Sequence, residues 1–312
     1  MAHFRFLWVW SLVAVLAACS TDNSNSDPTP ETYRDPGPWD AGVTTLTLAD
    51  REVEVWYPVN PADTNGLEPA VYFIRDELSD PLQALLPDDL NPPFVTDAFR
   101  DAPPSGAGPF PLVLFSHGSR SYRNQSSFLT THLASWGFVV ASVDHFERGL
   151  RFIASFDPLP DMDDVELSRM VVMLLAAENE REGGRLEGRV STQEIAITGH
   201  SAGGGTSIGF GGEPDVVTYI PLSAGVFGEG TTELPDRPSL WLTGTIDDIV
   251  EPQRAVDAFE LATSPTRIVL IDDMGHLGPS DICLIGEGGG GVIELARQAG
   301  LPVEELGLER LG

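Results

Sequence analysis

Basic residues are scarce in this chain: 18 Lys and Arg stand against 47 Asp and Glu, for a formal net charge of −29 over 312 residues. A nucleic acid partner is thereby excluded, because a polyanion would be repelled and no basic stripe exists to release its counterions. The excess acid reads as a solvated surface and identifies no substrate. Cysteine is rarer still, with only Cys19 and Cys283. Long apolar runs are missing too. The longest, Phe6 to Ala18, is too short to span a bilayer and has the layout of a secretory leader behind Met1 to Arg5. Metal and cofactor signatures are absent. Asp161, Asp163 and Asp164 crowd one stretch with no His or Cys beside them, and helix capping explains them better than cation binding. There is no phosphate loop and no dinucleotide fingerprint, so no cofactor is implied.

The leader closes in Leu16-Ala17-Ala18-Cys19, which resembles a bacterial lipoprotein processing box. On that likeness residues 1–18 are a signal peptide, Cys19 carries a diacylglycerol, and the protein is exported and held to a bacterial membrane on the periplasmic or cell-surface side. Cys283 is then left alone, which removes any internal disulfide even in a compartment that permits one. Residues 19–38 are almost devoid of apolar side chains and rich in Ser, Asp, Asn and Pro. Such a segment cannot offset its ordering entropy and reads as a flexible tether. Residues 39–312 remain as one catalytic-sized domain.

The domain opens with alternating apolar and polar residues from Val43 to Tyr57, broken at Ala49-Asp50-Arg51, which predicts an antiparallel hairpin at the edge of a sheet. Val59 to Gly108 is irregular and loaded with Pro and Asp, and reads as a surface loop rather than a lid. Leu112 to Ser116 is then a short apolar strand, Ser126 to Trp136 an amphipathic helix, and Phe138 to Val143 a fully buried strand. Strand, helix and strand in that order make a parallel crossover. A helix from Asp164, whose side chain can cap it, runs to about Ala177. Strands follow at Ile195–Thr198, Val217–Leu222, Ser239–Thr243 and Arg267–Ile271. The fold class is therefore α/β: a mostly parallel central sheet with an antiparallel N-terminal hairpin and helices on both faces, which resembles the α/β-hydrolase fold.

Gly199-His200-Ser201-Ala202-Gly203 is a GxSxG pentapeptide, and alone that pattern is weak. Here it lies between a buried strand and a Gly-rich stretch able to start a helix, which is the setting of a nucleophile elbow. Gly199 and Gly203 are needed because the serine sits in a strained turn where neighbouring Cβ atoms would clash. Gly203, Gly204 and Gly205 in succession suggest that all three make close backbone approaches, since each weakens a helix by about 1 kcal/mol relative to Ala. A serine hydroxyl needs an adjacent base. In this fold the chain order is Ser, acid, His, and of the six histidines only His276 lies C-terminal to Ser201. The acid belongs in the loop after Leu240–Thr243, where Asp247 is favoured and Asp248 is the second choice. The oxyanion requires two backbone N–H donors. Ala202 supplies one, and Ser119, after His117-Gly118, supplies the other. His117 reads as a structural residue beneath that loop, and His200 as a pocket-lining or supporting one.

The stretch PLVLFSHGSRSYRNQSSFLTTHLASWGFVVASVDHFERG followed by ITGHSAGG resembles the plasma-type platelet-activating factor acetylhydrolase family and its bacterial relatives, as do the earlier GPWDAGVTTLTL and VEVWYP. The resemblance spans roughly Gly37 to His276. It implies a secreted, metal-independent hydrolase of short or oxidised acyl esters, with Ser201 as nucleophile, His276 as base, and Ser119 and Ala202 at the oxyanion. One departure shifts that reading. The mammalian members carry their acid directly after the strand that follows the elbow helix, and the matching place here is Leu222-Ser223-Ala224, which has no carboxylate. Bacterial relatives similar to cutinases and polyester hydrolases carry it one strand later, where Asp247 stands.

The expected function is hydrolysis of short-chain acyl esters through an acyl-enzyme, on a small ester or lipid substrate. Two rivals stay open: an amidase or peptidase on the same scaffold, and a surface-binding lipoprotein that has kept the fold and lost turnover.

Overall fold

The computed structural model describes residues 30–152, 161–226, 233–286, 291–300 and 303. The signal peptide and Cys19 lie outside them, as does most of the tether. The chain divides into two units at Pro36–Gly37. The described part of the first holds one 3-10 turn, Pro30–Tyr33.

In the second unit the strands are β1 (Asp40–Leu48), β2 (Arg51–Val59), β3 (Pro69–Tyr72), β4 (Phe94–Arg100), β5 (Phe110–Ser116), β6 (Val139–Val143), β7 (Val190–His200), β8 (Val216–Leu222), β9 (Ser239–Gly244) and β10 (Thr266–Ile271). The helices are α1, a single turn at Asp80–Gln83, then α2 (Ser127–Ser135), α3 (Asp164–Glu180), α4 (Ala202–Phe210), α5 (Pro252–Leu261) and α6 (Gly291–Gln298). Among the described residues these ten strands join one sheet in the order β10-β9-β8-β7-β5-β6-β2-β1-β4-β3. From β6 to β10 every pairing is parallel, while β2 meets β6 and β1 antiparallel.

The central strands are apolar at nearly every position because both faces are covered. Leu112 and Leu114 of β5 pack with Ile195 and Ile197 of β7 and with Leu167, Val171 and Leu175 of α3. Val113 and Phe115, pointing the other way, pack with Trp56, Val140 and Ala134 of α2. No helix among the described residues is long and apolar enough to cross a membrane.

Two expectations are corrected here. The β1–β2 hairpin is not at the sheet edge, because the segment after it, read as a surface loop, supplies β3 and β4, which extend the sheet by two strands. Its proline density masked them: Pro69 is tolerated as the first residue of an edge strand, and Pro92 and Pro93 stand just before β4. The segment is also tied inward, since Glu77 is buried and bonds Arg123 at 3.0 Å. Secondly, α3 is capped by Asp163, which accepts from the amides of Val165 and Glu166 at 3.0 and 2.9 Å, and not by Asp164. Asp164 bonds His145, Arg148 and Thr206 instead.

Candidate active site

β7 runs into α4 with Ser201 alone at the corner, at φ 56 and ψ −116. An L residue in that region is strained, and the surroundings hold it there. Its N–H donates to Leu222 O at 2.9 Å and its carbonyl accepts from Gly205 N–H at 3.2 Å. The glycines explain how the corner closes. A Cβ on Gly199 would come within 2.2 Å of Gly203 O, and one on Gly203 within 1.9 Å of Ser116 O. One on Gly204 would meet the Ala224 Cβ at 2.3 Å, so α4 sits against both β5 and the end of β8. Gly205 departs from the expected pattern: nothing lies within 4 Å of its missing Cβ, and it faces solvent. Only two of the three consecutive glycines are required by packing.

His276 follows β10 in a buried loop, and its Nδ1 lies 2.8 Å from Asp247 Oδ2. Asp247 is itself buried at the C-terminal end of β9 and accepts from the amides of Ile249 and Val250 at 3.0 and 2.8 Å. Burial by itself would raise its carboxyl, but the bonds from His276 and those two amides hold it below the ordinary aspartate range. Asp248, the second choice, is exposed. Of the two neighbours, the structure brings Asp247 to the imidazole. With Nδ1–H donated to the carboxylate, His276 keeps a lone pair on Nε2, as a base requires.

Ser119 stands in the loop after β5, beside the elbow: a Cβ on Gly118 would lie 3.3 Å from the Ser201 Cβ. The amides flanking Ser119 are committed. Gly118 N–H donates to Gln125 Oε1 at 2.9 Å and Arg120 N–H to Arg148 O at 2.6 Å. Ala202 is the first residue of α4, where an amide has no partner within the helix. Ala202 follows Ser201 directly, and the loop that carries Ser119 passes beside it.

His117 stands beneath this loop as the sequence suggests, while the other residues that hold it were missed. His117 is fully buried, accepts from the His145 amide at 3.0 Å through Nε2, and so gives its Nδ1–H to Gly118 O at 2.9 Å. Arg148 donates to His117 O from Nε and Nη2 at 3.2 and 3.0 Å. It also pairs with Asp164, which accepts from Thr206 of α4 at 2.9 Å. Burial opposes the Asp164 charge, yet the His145 bond and the Arg148 cation keep its carboxyl well below the usual range. The base loop is stitched to α2: Ser126 Oγ donates to Pro279 O at 2.6 Å, Asp281 N–H to Gln125 O at 2.7 Å, and the Asp281 carboxylate accepts from Ser127 and Phe128 amides. Asp281 therefore serves as the anionic cap of a helix more than 150 residues earlier. No local spacing announces such a contact. Among the described residues no three His, Cys, Asp or Glu side chains gather as a metal-binding group.

A serine strained at a strand-to-helix corner, an imidazole held by a buried carboxylate and a flanking loop of amides define a serine hydrolase of the α/β-hydrolase fold. Residues 50–182 match the family described as Platelet-activating factor acetylhydrolase, isoform II, a stretch that contains Ser119 and ends before Ser201. Among solved structures the chain is similar to a ferulic acid esterase from Streptomyces cinnamoneus, at 24% identity and a TM-score of 0.60, covering 88% of this chain and 90% of that one. A search of curated proteins found no match. The family match, which covers less than half of the chain, and the likeness in fold agree with a serine ester hydrolase.

Proposed function

We propose that the protein cleaves short-chain acyl esters through an acyl-enzyme formed on Ser201. The observation that carries this reading is the joint placement of Ser201 at the strained corner and His276 on Asp247 at 2.8 Å. His276 Nε2 takes the Ser201 proton as Oγ attacks the ester carbonyl. The amides of Ala202 and Ser119 receive the developing oxyanion, and His276 returns the proton to the departing alcohol. Water, deprotonated by the same imidazole, then releases the acid. Asp247 stays ionised throughout and stabilises the imidazolium.

With p-nitrophenyl acetate as substrate, Ser201→Ala is expected to lower kcat by at least about 10³-fold. A variant that kept wild-type turnover would overturn the assignment. An amide analogue of the same acyl group should be hydrolysed far more slowly, which separates an esterase from an amidase.

The second part of the reading is location: export, and attachment to a bacterial membrane through a lipid on Cys19. It is supported by Leu16-Ala17-Ala18-Cys19 behind a short apolar leader. In cells expressing the full chain, Cys19→Ser should move the protein from the membrane pellet to the soluble exported fraction. Persistence in the pellet would contradict the anchor.

A further inference from the structure

His200 occupies the last position of β7, directly before Ser201, and is buried. Its Nε2 lies 2.8 Å from the main-chain carbonyl of His276, and its Nδ1 lies 2.8 Å from Gln125 Nε2. A carbonyl only accepts, so the ring proton is on Nε2. Nδ1 must then accept, which turns the Gln125 NH2 toward the ring and leaves Gln125 Oε1 to receive the Gly118 N–H at 2.9 Å. Each link of this chain pairs a donor with an acceptor, and both the tautomer and the amide orientation follow from it. Its two ends are the main chain of the base loop and of the oxyanion loop. The His200 and His276 rings also touch, with centroids 4.8 Å apart. Burial, aided by the His276 charge, pushes the His200 ring down to about 4, so it stays neutral and keeps Nδ1 as an acceptor around neutral pH.

We propose that His200 is a positioning residue for hydrolysis: bonded to His276 O and, through Gln125, to Gly118 N, it fixes the separation of the base from the oxyanion loop. The inference rests on the serine-hydrolase reading above. Its physical basis is the steep cost of misplacement, since a shift of about 1 Å between reacting groups can lower a rate by about 100-fold.

The test compares His200→Phe, which keeps the ring and removes both bonds, with His200→Gln, which changes the shape and keeps one donor and one acceptor. Both are made in the full chain and assayed on p-nitrophenyl acetate, with urea unfolding midpoints measured alongside. His200→Phe should lower kcat by about 10–100-fold with KM within about threefold. His200→Gln should recover most of that loss whatever its unfolding midpoint. Gln125→Met, which removes the middle of the chain without touching His200, should lower kcat in the same range and serves if His200→Phe does not fold. A Phe variant at least as active as the Gln variant would mean that only packing matters. Wild-type kcat in Gln125→Met would equally overturn the inference. Neither result touches the hydrolase reading, which fails separately if a fluorophosphonate does not label Ser201 in the wild-type protein.

Discussion

Two Ser-His-Asp sets lie on neighbouring strands of this sheet, in contrasting surroundings. In the first, Ser116 at the end of β5 bonds His145 Nε2 at 2.9 Å, and His145 Nδ1 meets Asp164 Oδ1 at 3.1 Å. In the second, Ser201 follows β7 and His276 bonds Asp247 at 2.8 Å. The residue types are the same, and the surroundings differ. Ser116 is buried within a regular strand, whereas Ser201 is partly exposed at a strained corner. Arg148 donates to Ser116 Oγ at 2.8 Å and also pairs with Asp164, so hydroxyl and carboxylate are already engaged by a cation. Burial pushes His145 down to about 4, and the bond from Asp164 does not recover it. Reactivity needs an exposed hydroxyl, a carboxylate free of a competing cation and amides for the oxyanion. The first set is a brace: it joins the loop after β5, the start of α3 and, through Thr206, the elbow helix.

The sharpest way to break this contrast is to remove the same charge from each set. Asp247→Asn should lower kcat on p-nitrophenyl acetate by about 10²–10⁴-fold, because the imidazole loses its tautomer and its counter-charge. Asp164→Asn should lower it by less than about tenfold. Comparable losses in the two variants would abolish the distinction.

In stability the ranking reverses in kind. Asp164→Asn leaves Arg148 without its anion and should cost about 1–3 kcal/mol in urea unfolding at neutral pH. Asp164 has a depressed native value, so its contribution is present above the unfolded aspartate value of about 3.9 and is lost as pH falls through the native one. The gap between wild type and Asp164→Asn should therefore narrow steadily as pH is lowered from about 5. A gap independent of pH would show that charge plays no part in the brace.

These residues also mark what was legible in the sequence. The pentapeptide, the chain order and the strand runs led to Ser201, His276 and the sheet, because those signals are local. The sequence favoured Asp247 over Asp248, but which of two neighbours in a loop points at the imidazole is visible only in coordinates. Asp164 was misread as a cap, and Gln125, Arg148 and Asp281 were not singled out, because their partners lie from 7 to 154 residues away. β3 and β4 were missed for another reason: prolines at or just before their first residues hid short strands that only pairing reveals.

The smallest contrast lies within α4. Gly204→Ala drives a Cβ into Ala224 and should destabilise by about 1–3 kcal/mol. Gly205→Ala meets open space and should stabilise by up to about 1 kcal/mol. Equal effects would show that the glycine run serves flexibility and not close approach.

The central claim is that Ser201, and not Ser116, carries the acyl group. Wild-type protein mixed with p-nitrophenyl acetate, quenched in acid during turnover and mapped by peptide mass spectrometry, should show an acetyl group on Ser201. None should appear on Ser116 or anywhere in Ser201→Ala. An acetyl group on another residue during productive hydrolysis, or turnover with Ser201 never acylated, would contradict the account.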